Sequence, residues 1–267
     1  MSGVLSNSRM LEYELMKSYP NIFCFSTTRH GGCGVGTYAS FNCTHYCGDN
    51  SEHVAANRRT LGTLFPEEPS ALIIPVQTHG VKIREIISLP VDESELEGVD
   101  AVMTSLPGCC LCVSTADCIP VLLYDTVRQV VAAIHAGWRG TVAGIVEKVL
   151  NAMSVRYGTE GKDVVACIGP GISMESYEVG DEVYELFASA GFDMQRIARK
   201  YDKWHIDLWE ANRLQLLAKG VMARNIEVAG ICTYKEYEHF FSARRLGIRS
   251  GRILTGILMR NLNAHRI

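Results

Sequence analysis

The sequence predicts one mixed α/β domain, and three observations predict it. Apolar runs of strand length recur along most of the chain, among them residues 22–27, 110–114, 119–124, 130–134, 164–168 and 253–259. Residues 141–157 instead place Val142, Ile145, Val146, Val149, Leu150 and Met153 at the spacing of a helix with one buried face. Strands and helices mix without strict alternation, and no repeat, low-complexity tract or linker divides them. Mixed β-sheets flanked by helices in a single domain are therefore expected. At 267 residues and 47% hydrophobic, the chain can bury a sizeable core.

Taken in order, residues 1–21 read as a poorly patterned leader and residues 22–267 as the domain. After the strand at 22–27 comes a stretch at 29–50 with five glycines and many small polar residues, too flexible for a helix interior. Its glycines match neither a dinucleotide fingerprint nor a phosphate-binding loop, so a long loop is expected. Ser51 is placed to cap a helix running to about residue 65, with Glu52 in its first turn. Residues 71–76 are strand-like, 77–80 break the strand and 81–87 resume it. An acidic link at 91–98 leads to strands at 99–103 and 110–114.

Residues 119–124 and 130–134 flank the polar segment 125–128, which reads as two buried strands joined by a turn. If they pair as a hairpin, their outer ends meet and bring Cys118 beside His135. Gly137-Trp138-Arg139-Gly140 then leads into the helix at 141–157, and the strand at 164–168 ends in Gly169-Pro170-Gly171. Residues 181–190 and 209–222 read as helices, and 226–231 and 253–259 as strands.

Composition narrows the function classes. A formal net charge of -3 gives no basic footprint, so nucleic acid is not an implied partner. The apolar runs are too short to span a bilayer, and the first residues lack a charged-then-apolar export pattern, which makes a cytoplasmic protein the expectation. Several of the ten cysteines (Cys24, Cys110, Cys112, Cys167, Cys232) lie inside apolar runs and read as reduced core residues.

His79, like His135, ends a strand-like run close to a glycine. With Cys118 these two imidazoles make a His₂Cys set of the kind zinc prefers; three protein ligands leave the fourth tetrahedral position open, as in catalytic sites. Spacing alone leaves other readings. A histidine at a strand end is commonly a hydrogen-bonded structural residue, and Cys118 could pack in the core or act as the nucleophile of a metal-free Cys–His dyad. Cys43-x-His45-x-Cys47 invites a second metal reading without an evident fourth ligand, whereas Cys109-Cys110-x-Cys112 and Phe240-Phe241 read as packing. Trp138 reads as packing at the helix start or as a wall for a flat ligand.

QTHG at 77–80, TADCIP at 115–120 and HAGWRG at 135–140 closely resemble the three motifs of the laccase-domain family, whose members are variously called YfiH-type proteins, polyphenol oxidases and purine nucleoside phosphorylases. The resemblance extends to SFNCTHYCGDN at 40–50, IGPGIS and SYEVG within 168–180, DLWEANRLQL at 207–216 and FFSARR at 240–245. It implies a YfiH-like mixed α/β fold, also likened to that of a deamidating cysteine-hydrolase toxin, with zinc held at His79, Cys118 and His135. The implied activity is phosphorolysis of adenosine, inosine and S-methyl-5′-thioadenosine to base and ribose 1-phosphate, with deamination of adenosine besides.

On that reading Cys118, Asp117 and Arg139 are the catalytic candidates, Asp49 and Glu178 being rivals to Asp117 for proton transfer. A structural hydrogen-bond acceptor is the plainer reading of Asp117. Arginine suits bidentate phosphate contact. Arg58, Arg139, Arg244 and Arg245 all fall in family-like motifs, with Arg58 and Arg139 preferred for phosphate; Asn42, Arg58 and Arg244 are the substrate-binding candidates. Purine nucleosides and phosphate are the expected partners of a monomer or homodimer, without nucleic acid or membrane. Eight histidines, none two residues from another, are a poor basis for a multicopper centre, although a lone His₂Cys set could take one copper. Three alternatives stand beside the phosphorylase: a Cys–His hydrolase acting on an amide such as a cell-wall precursor peptide, a single-copper polyphenol oxidase, and a non-catalytic protein that retains metal.

Overall fold

A computed structural model describes residues 8–261, so His265 and the outermost parts of the expected leader and domain lie outside the described residues. The chain runs through β1 (Met10–Glu12), β2 (Ile22–Thr27), α1 (Ser51–Gly62), β3 (Ala71–Ile73), β4 (Ile83–Ile86), β5 (Ala101–Thr104) and β6 (Cys109–Thr115). It continues through β7 (Ile119–Asp125), β8 (Val130–Ala136), α2 (Trp138–Val142), α3 (Ile145–Tyr157), β9 (Val164–Ile168), β10 (Glu178–Val179) and α4 (Asp181–Ser189). Last come α5 (Met194–Ile197), β11 (Ala198–Lys200), β12 (Trp204–Ile206), α6 (Leu208–Ala218), β13 (Ile226–Val228), α7 (Ala243–Leu246) and β14 (Ile253–Met259). The sheets are mixed, as the sequence predicts: one of order β1-β2-β14-β6-β3, one of order β13-β9-β7-β8-β5-β4, and a small one of order β10-β12-β11.

The two large sheets pack face to face with helices outside them. Alternation along β7 sends Val121 and Leu123 toward α3 and α6, where they meet Ile145, Val149, Met153 and Leu216. Leu122 and Tyr124 point the other way, into a layer shared with Leu111, Val113 and Ile257 of the facing sheet. The outer face of that sheet, with Cys110, Cys112 and Leu254, is covered by Phe41 and Leu61. Strands buried on both faces have no use for polar alternation, which is why β6, β7 and β8 read as near-continuous apolar runs.

The β7–β8 hairpin forms as expected, with Ile119 opposite Ala136 and Pro120 opposite His135. Its turn is fixed by Asp125, whose Oδ1 accepts from the backbone N–H groups of Val127 and Arg128, both at 2.9 Å. All ten cysteines are free, and Cys24, Cys110, Cys112, Cys167 and Cys232 are buried. Burial pushes the thiols of Cys43 and Cys109 up to about 12, so both are packing groups at neutral pH. Among the described residues no helix is long and apolar enough to cross a membrane.

Some local expectations change. The stretch before residue 22 is more than a leader: β1 pairs with β2, and Tyr13 and Met16 are buried. The cap of α1 is Asn50, whose side chain accepts from the N–H groups of Glu52 and His53; Ser51 is the first helical residue. The helix expected over 141–157 starts earlier and is broken, because Gly144 takes φ +73 between α2 and α3. The strand expected over 71–76 ends at Ile73, before Pro75, which has no N–H to give a ladder.

Leu111 is wholly buried between the sheets, so Leu111→Ala should lower unfolding free energy by about 2–5 kcal/mol, read from urea melts with an unchanged slope. Asn50→Ala should cost about 1 kcal/mol in the same assay through its lost cap.

Candidate metal centre

Three separate chain segments converge at one end of the six-stranded sheet. His135 stands near the end of β8, Cys118 just before β7, and His79 in the turn after β3. Their donor atoms all lie within 4.8 Å of one another. The two imidazole rings meet edge to face, their centroids 4.8 Å apart at an interplanar angle of 80°. His135 is buried, Cys118 half-buried and His79 exposed, so the cluster is walled on one side and open on the other.

The backbone is bent out of its ordinary range to achieve this. His79 has φ +63 and Asp117, next to Cys118, has φ +86; Gln129 in the hairpin turn is the third such non-glycine residue among those described. Left-handed conformations of this kind cost about 1–3 kcal/mol each and persist where surrounding structure enforces them. Gly137 has ordinary angles (φ -66). A Cβ there would stand 2.9 Å from His79 Cδ2 and 3.2 Å from Cys118 Sγ, so its missing side chain is what leaves room for the donors to approach.

The electrostatics favour a charged pair. Burial alone would push the Cys118 thiol up, but His135 and then His79 outweigh it and bring it down to about 6. Burial would likewise lower His135, yet the Cys118 charge and the hydrogen bond that its ring donates to Asp100 raise it to about 9. Without metal, Cys118 is a thiolate facing an imidazolium near neutral pH. The carboxylate of Asp100 is held below its ordinary range against the opposing effect of burial, through His135 and the N–H groups of Gly80 and Thr78. Two imidazoles, one thiolate and a cradle cleared by Gly137 suit a borderline-soft transition-metal cation.

The cluster opens on a cleft of about 420 Å³ whose wall includes Asp117, Trp138, Arg139, Tyr177, Leu208 and Arg244. The Arg139 guanidinium lies 4.3 Å over the Trp138 ring and is exposed. That of Arg244 lies 5.4 Å over Tyr177, held by the Glu178 carbonyl at 3.3 Å. Asp117 uses both carboxylate oxygens internally: Oδ1 accepts from Thr233 Oγ1 and Oδ2 from the Arg244 backbone N–H, each at 2.7 Å. It thereby ties the start of α7 to the Cys118 turn.

The other candidates lie elsewhere. Asn42 is fully buried; its amide donates to Asp49 at 2.9 Å and its carbonyl accepts from the Arg252 N–H at 3.1 Å. Arg58 donates to the Cys43 carbonyl at 2.8 Å and meets His45 at 2.9 Å, lining a separate hollow of about 530 Å³ along β3. That hollow is the larger, but it holds none of the three donors. The fold thus brings Cys118, Asp117, Arg139 and Arg244 together with His79 and His135, and leaves Asn42 and Arg58 outside the cleft. Of the rival carboxylates, Asp49 is bonded to Asn42, and Glu178 bonds Lys203 at 2.7 Å. Cys43, His45 and Cys47 do not converge: among the described residues His79, Cys118 and His135 are the one group of three or more histidine, cysteine or acidic donors. Phe240 and Phe241 are wholly buried core, and Arg245 packs on the Tyr237 ring.

Sequence reading missed Asp100 and Tyr177. Asp100 had a signal, an acidic residue at the head of the apolar run leading into β5. Tyr177 had only its place within SYEVG, since a tyrosine in a short segment reads equally as core.

Fold and cleft define a mixed α/β protein with a solvent-accessible His–Cys–His donor cluster. The chain belongs to the multi-copper polyphenol oxidoreductase laccase family, whose sequence pattern matches residues 23–260. It is 54% identical over 268 residues to a Bacteroides thetaiotaomicron protein named purine nucleoside phosphorylase, covering 97% of this chain and 99% of that one. It is 42% identical over 260 residues to adenosine deaminase RL5 from an unknown prokaryotic organism, covering 93% and 99%. The crystal structure of the Bacillus licheniformis hypothetical protein YfiH superposes with a TM-score of 0.87 at 28% identity, covering 96% and 97%.

Two outcomes follow from this geometry. Gly137→Ala should leave far-UV circular dichroism unchanged while affinity for a divalent metal ion, read by chelator competition, drops about 10–100-fold. In metal-free protein, alkylation of Cys118 by iodoacetamide should persist down to a pH of about 6, well below the range near 8.5 where an ordinary cysteine loses its thiolate. Peptide mass spectrometry across pH reads this.

Proposed function

We propose that the chain is a zinc-dependent purine nucleoside phosphorylase, converting adenosine, inosine or S-methyl-5′-thioadenosine and phosphate to free base and the ribose 1-phosphate, with adenosine deaminase activity besides. The single observation that carries it is a His79–Cys118–His135 donor set opening on a cleft flanked by the guanidinium groups of Arg139 and Arg244. The relatives named purine nucleoside phosphorylase and adenosine deaminase support the same pair of reactions. All ten cysteines being free fits the cytoplasm, where thiols stay reduced.

His79, Cys118 and His135 would hold the ion, which supplies a Lewis-acid centre able to polarise an oxygen and to lower the pKa of water to about 7. Phosphorolysis breaks the bond between the anomeric carbon and the purine nitrogen while a phosphate oxygen bonds that carbon; the electron pair leaves with the purine. Arg139 and Arg244 bear the charge that phosphate requires, and their fork geometry suits bidentate contact. Leu208 supplies an apolar wall for the base. Tyr177 stays neutral, burial and the nearby Cys118 pushing its phenol well up, so it can donate a hydrogen bond to base or ribose. Asp117 is the carboxylate of the cleft wall. It would accept a proton in deamination only by releasing Thr233 or the Arg244 amide, and its two bonds support a positioning role.

One observation favours a second reading. Cys118, His135 and Asp100 follow one another in the order of a Cys–His–Asp triad, with His135 Nδ1 bonded to Asp100 at 2.8 Å and the Cys118 sulfur within 4.8 Å of the His135 donor atom, which would suit amide hydrolysis without metal. The family's multi-copper name finds less support, since the described residues offer one three-donor group and oxidase chemistry at several coppers needs more imidazoles.

Product assays with adenosine, inosine and phosphate decide between these readings. Phosphate-dependent release of ribose 1-phosphate, lost on chelation and restored by zinc, is the expected result. Amidase activity that survives chelation and is blocked by thiol alkylation would instead establish the hydrolase. His79→Ala or His135→Ala should release zinc and lower kcat at least about 100-fold with the fold retained. Arg139→Ala should raise the KM for phosphate about 10–100-fold, the equivalent of losing about 1.5–3 kcal/mol of charged hydrogen bonding.

A further inference from the structure

We propose that Asp100 is the positioning residue for both imidazoles of the centre. The inference rests on the metal-centre reading above and concerns how the chain presents its ligands. Asp100 is fully buried and does not line the cleft, so it touches no substrate and acts through its neighbours.

One carboxylate serves the two histidines by different routes. Its Oδ1 accepts from Nδ1 of His135 at 2.8 Å and from the backbone N–H of His79 at 2.9 Å. Its Oδ2 accepts from the N–H of Gly80 at 2.8 Å and from the N–H and hydroxyl of Thr78 at 3.3 and 3.4 Å. Engaging Nδ1 of His135 commits Nε2 to the donor cluster and fixes both ring orientation and tautomer. Gathering the N–H groups of residues 78–80 holds His79 at φ +63, the conformation that aims its ring at Cys118.

Strand pairing places Asp100 there. β5 runs antiparallel to β8 with Ala101 opposite Ile134, so Asp100 falls opposite His135, and the His135 N–H donates to the Asp100 carbonyl at 2.8 Å. A carboxylate that merely tied down the loop would need only the bonds to residues 78–80. The bond to the far nitrogen of His135 is what a positioning role requires and a loop tie does not.

The test uses full-length protein and zinc as the probe. In zinc-loaded wild type, ¹⁵N NMR should find the His135 proton on Nδ1 and zinc on Nε2; the reverse assignment overturns the proposal, and this measurement needs no variant to fold. Asp100→Asn retains an acceptor for one histidine but turns an amide NH₂ toward the N–H groups of the loop. Its zinc affinity by chelator competition should fall about 10–100-fold, with kcat reduced and the KM for nucleoside within about threefold of wild type. Thr78→Val, which removes only the 3.4 Å hydroxyl contact to Asp100 and keeps the backbone N–H bond, should keep zinc affinity within about twofold. Wild-type zinc affinity in a folded Asp100→Asn, or an equal loss in Thr78→Val, overturns the positioning role. A wild-type protein that binds no zinc at all overturns the metal-centre reading itself, a distinct and separately visible failure.

Discussion

The antiparallel register of β7 and β8 is the constraint on which the rest depends. With Pro120 opposite His135, the hairpin delivers a thiol and an imidazole to the same end of the sheet. Side chains alternate along a strand, so a slip of one residue would turn the His135 ring to the opposite face and remove it from Cys118. The register is pinned at the far end by the Asp125 turn and along the other edge of β8 by β5. Because β7 and β8 are apolar on both faces and wholly buried, any slip would exchange two packed cores at once, which makes the pairing unambiguous.

What the core stabilises, the centre partly spends. Two residues at the site sit at positive φ without being glycine, and a thiolate, an imidazolium and a carboxylate are drawn into a confined space. Such groups persist only when each is answered: Asp100 by His135 and three N–H groups, Asp117 by Thr233 and the Arg244 amide. The two aspartates divide the labour. Asp100 organises the donor side of the centre from behind, and Asp117 ties the α7 segment carrying Arg244 to the turn that carries Cys118. Rigidity at the donors and two guanidinium groups lining the cleft are the elements a metal-assisted reaction on an anionic partner needs.

The family's name and its chemistry point in different directions. A multicopper oxidase moves electrons through several metal ions, whereas the described residues supply one His–Cys–His group. Imidazole and thiolate bind zinc and copper alike, so the donor set alone does not choose the metal. The surroundings say more: two arginines and a neutral phenol suit a phosphate and a nucleoside better than a phenolic substrate. Relatives named for phosphorolysis and deamination are consistent with that setting.

The amino-acid sequence by itself determined the buried strands, the β7–β8 hairpin and the amphipathic run of α3, since each is written in a local pattern: apolar runs, a polar turn, a helical period. It singled out His79, Cys118 and His135 through motifs that resemble a family's, while their convergence came from the fold. It did not reveal that Met10–Glu12 adds a strand, because three residues carry no period, nor that Asn50 rather than Ser51 caps α1, because both residue types cap well. Nor did residue type separate the arginines. Arg58 and Arg139 look equally suited to phosphate, yet Arg58 is bound to the Cys43 carbonyl and His45 far from the donors, while Arg139 stands at the cleft. Only the tertiary structure decided that, and it alone placed Asp100 behind His135. Both depend on which strands pair at long range and in what register, a consequence of packing the whole core that no short stretch of chain contains.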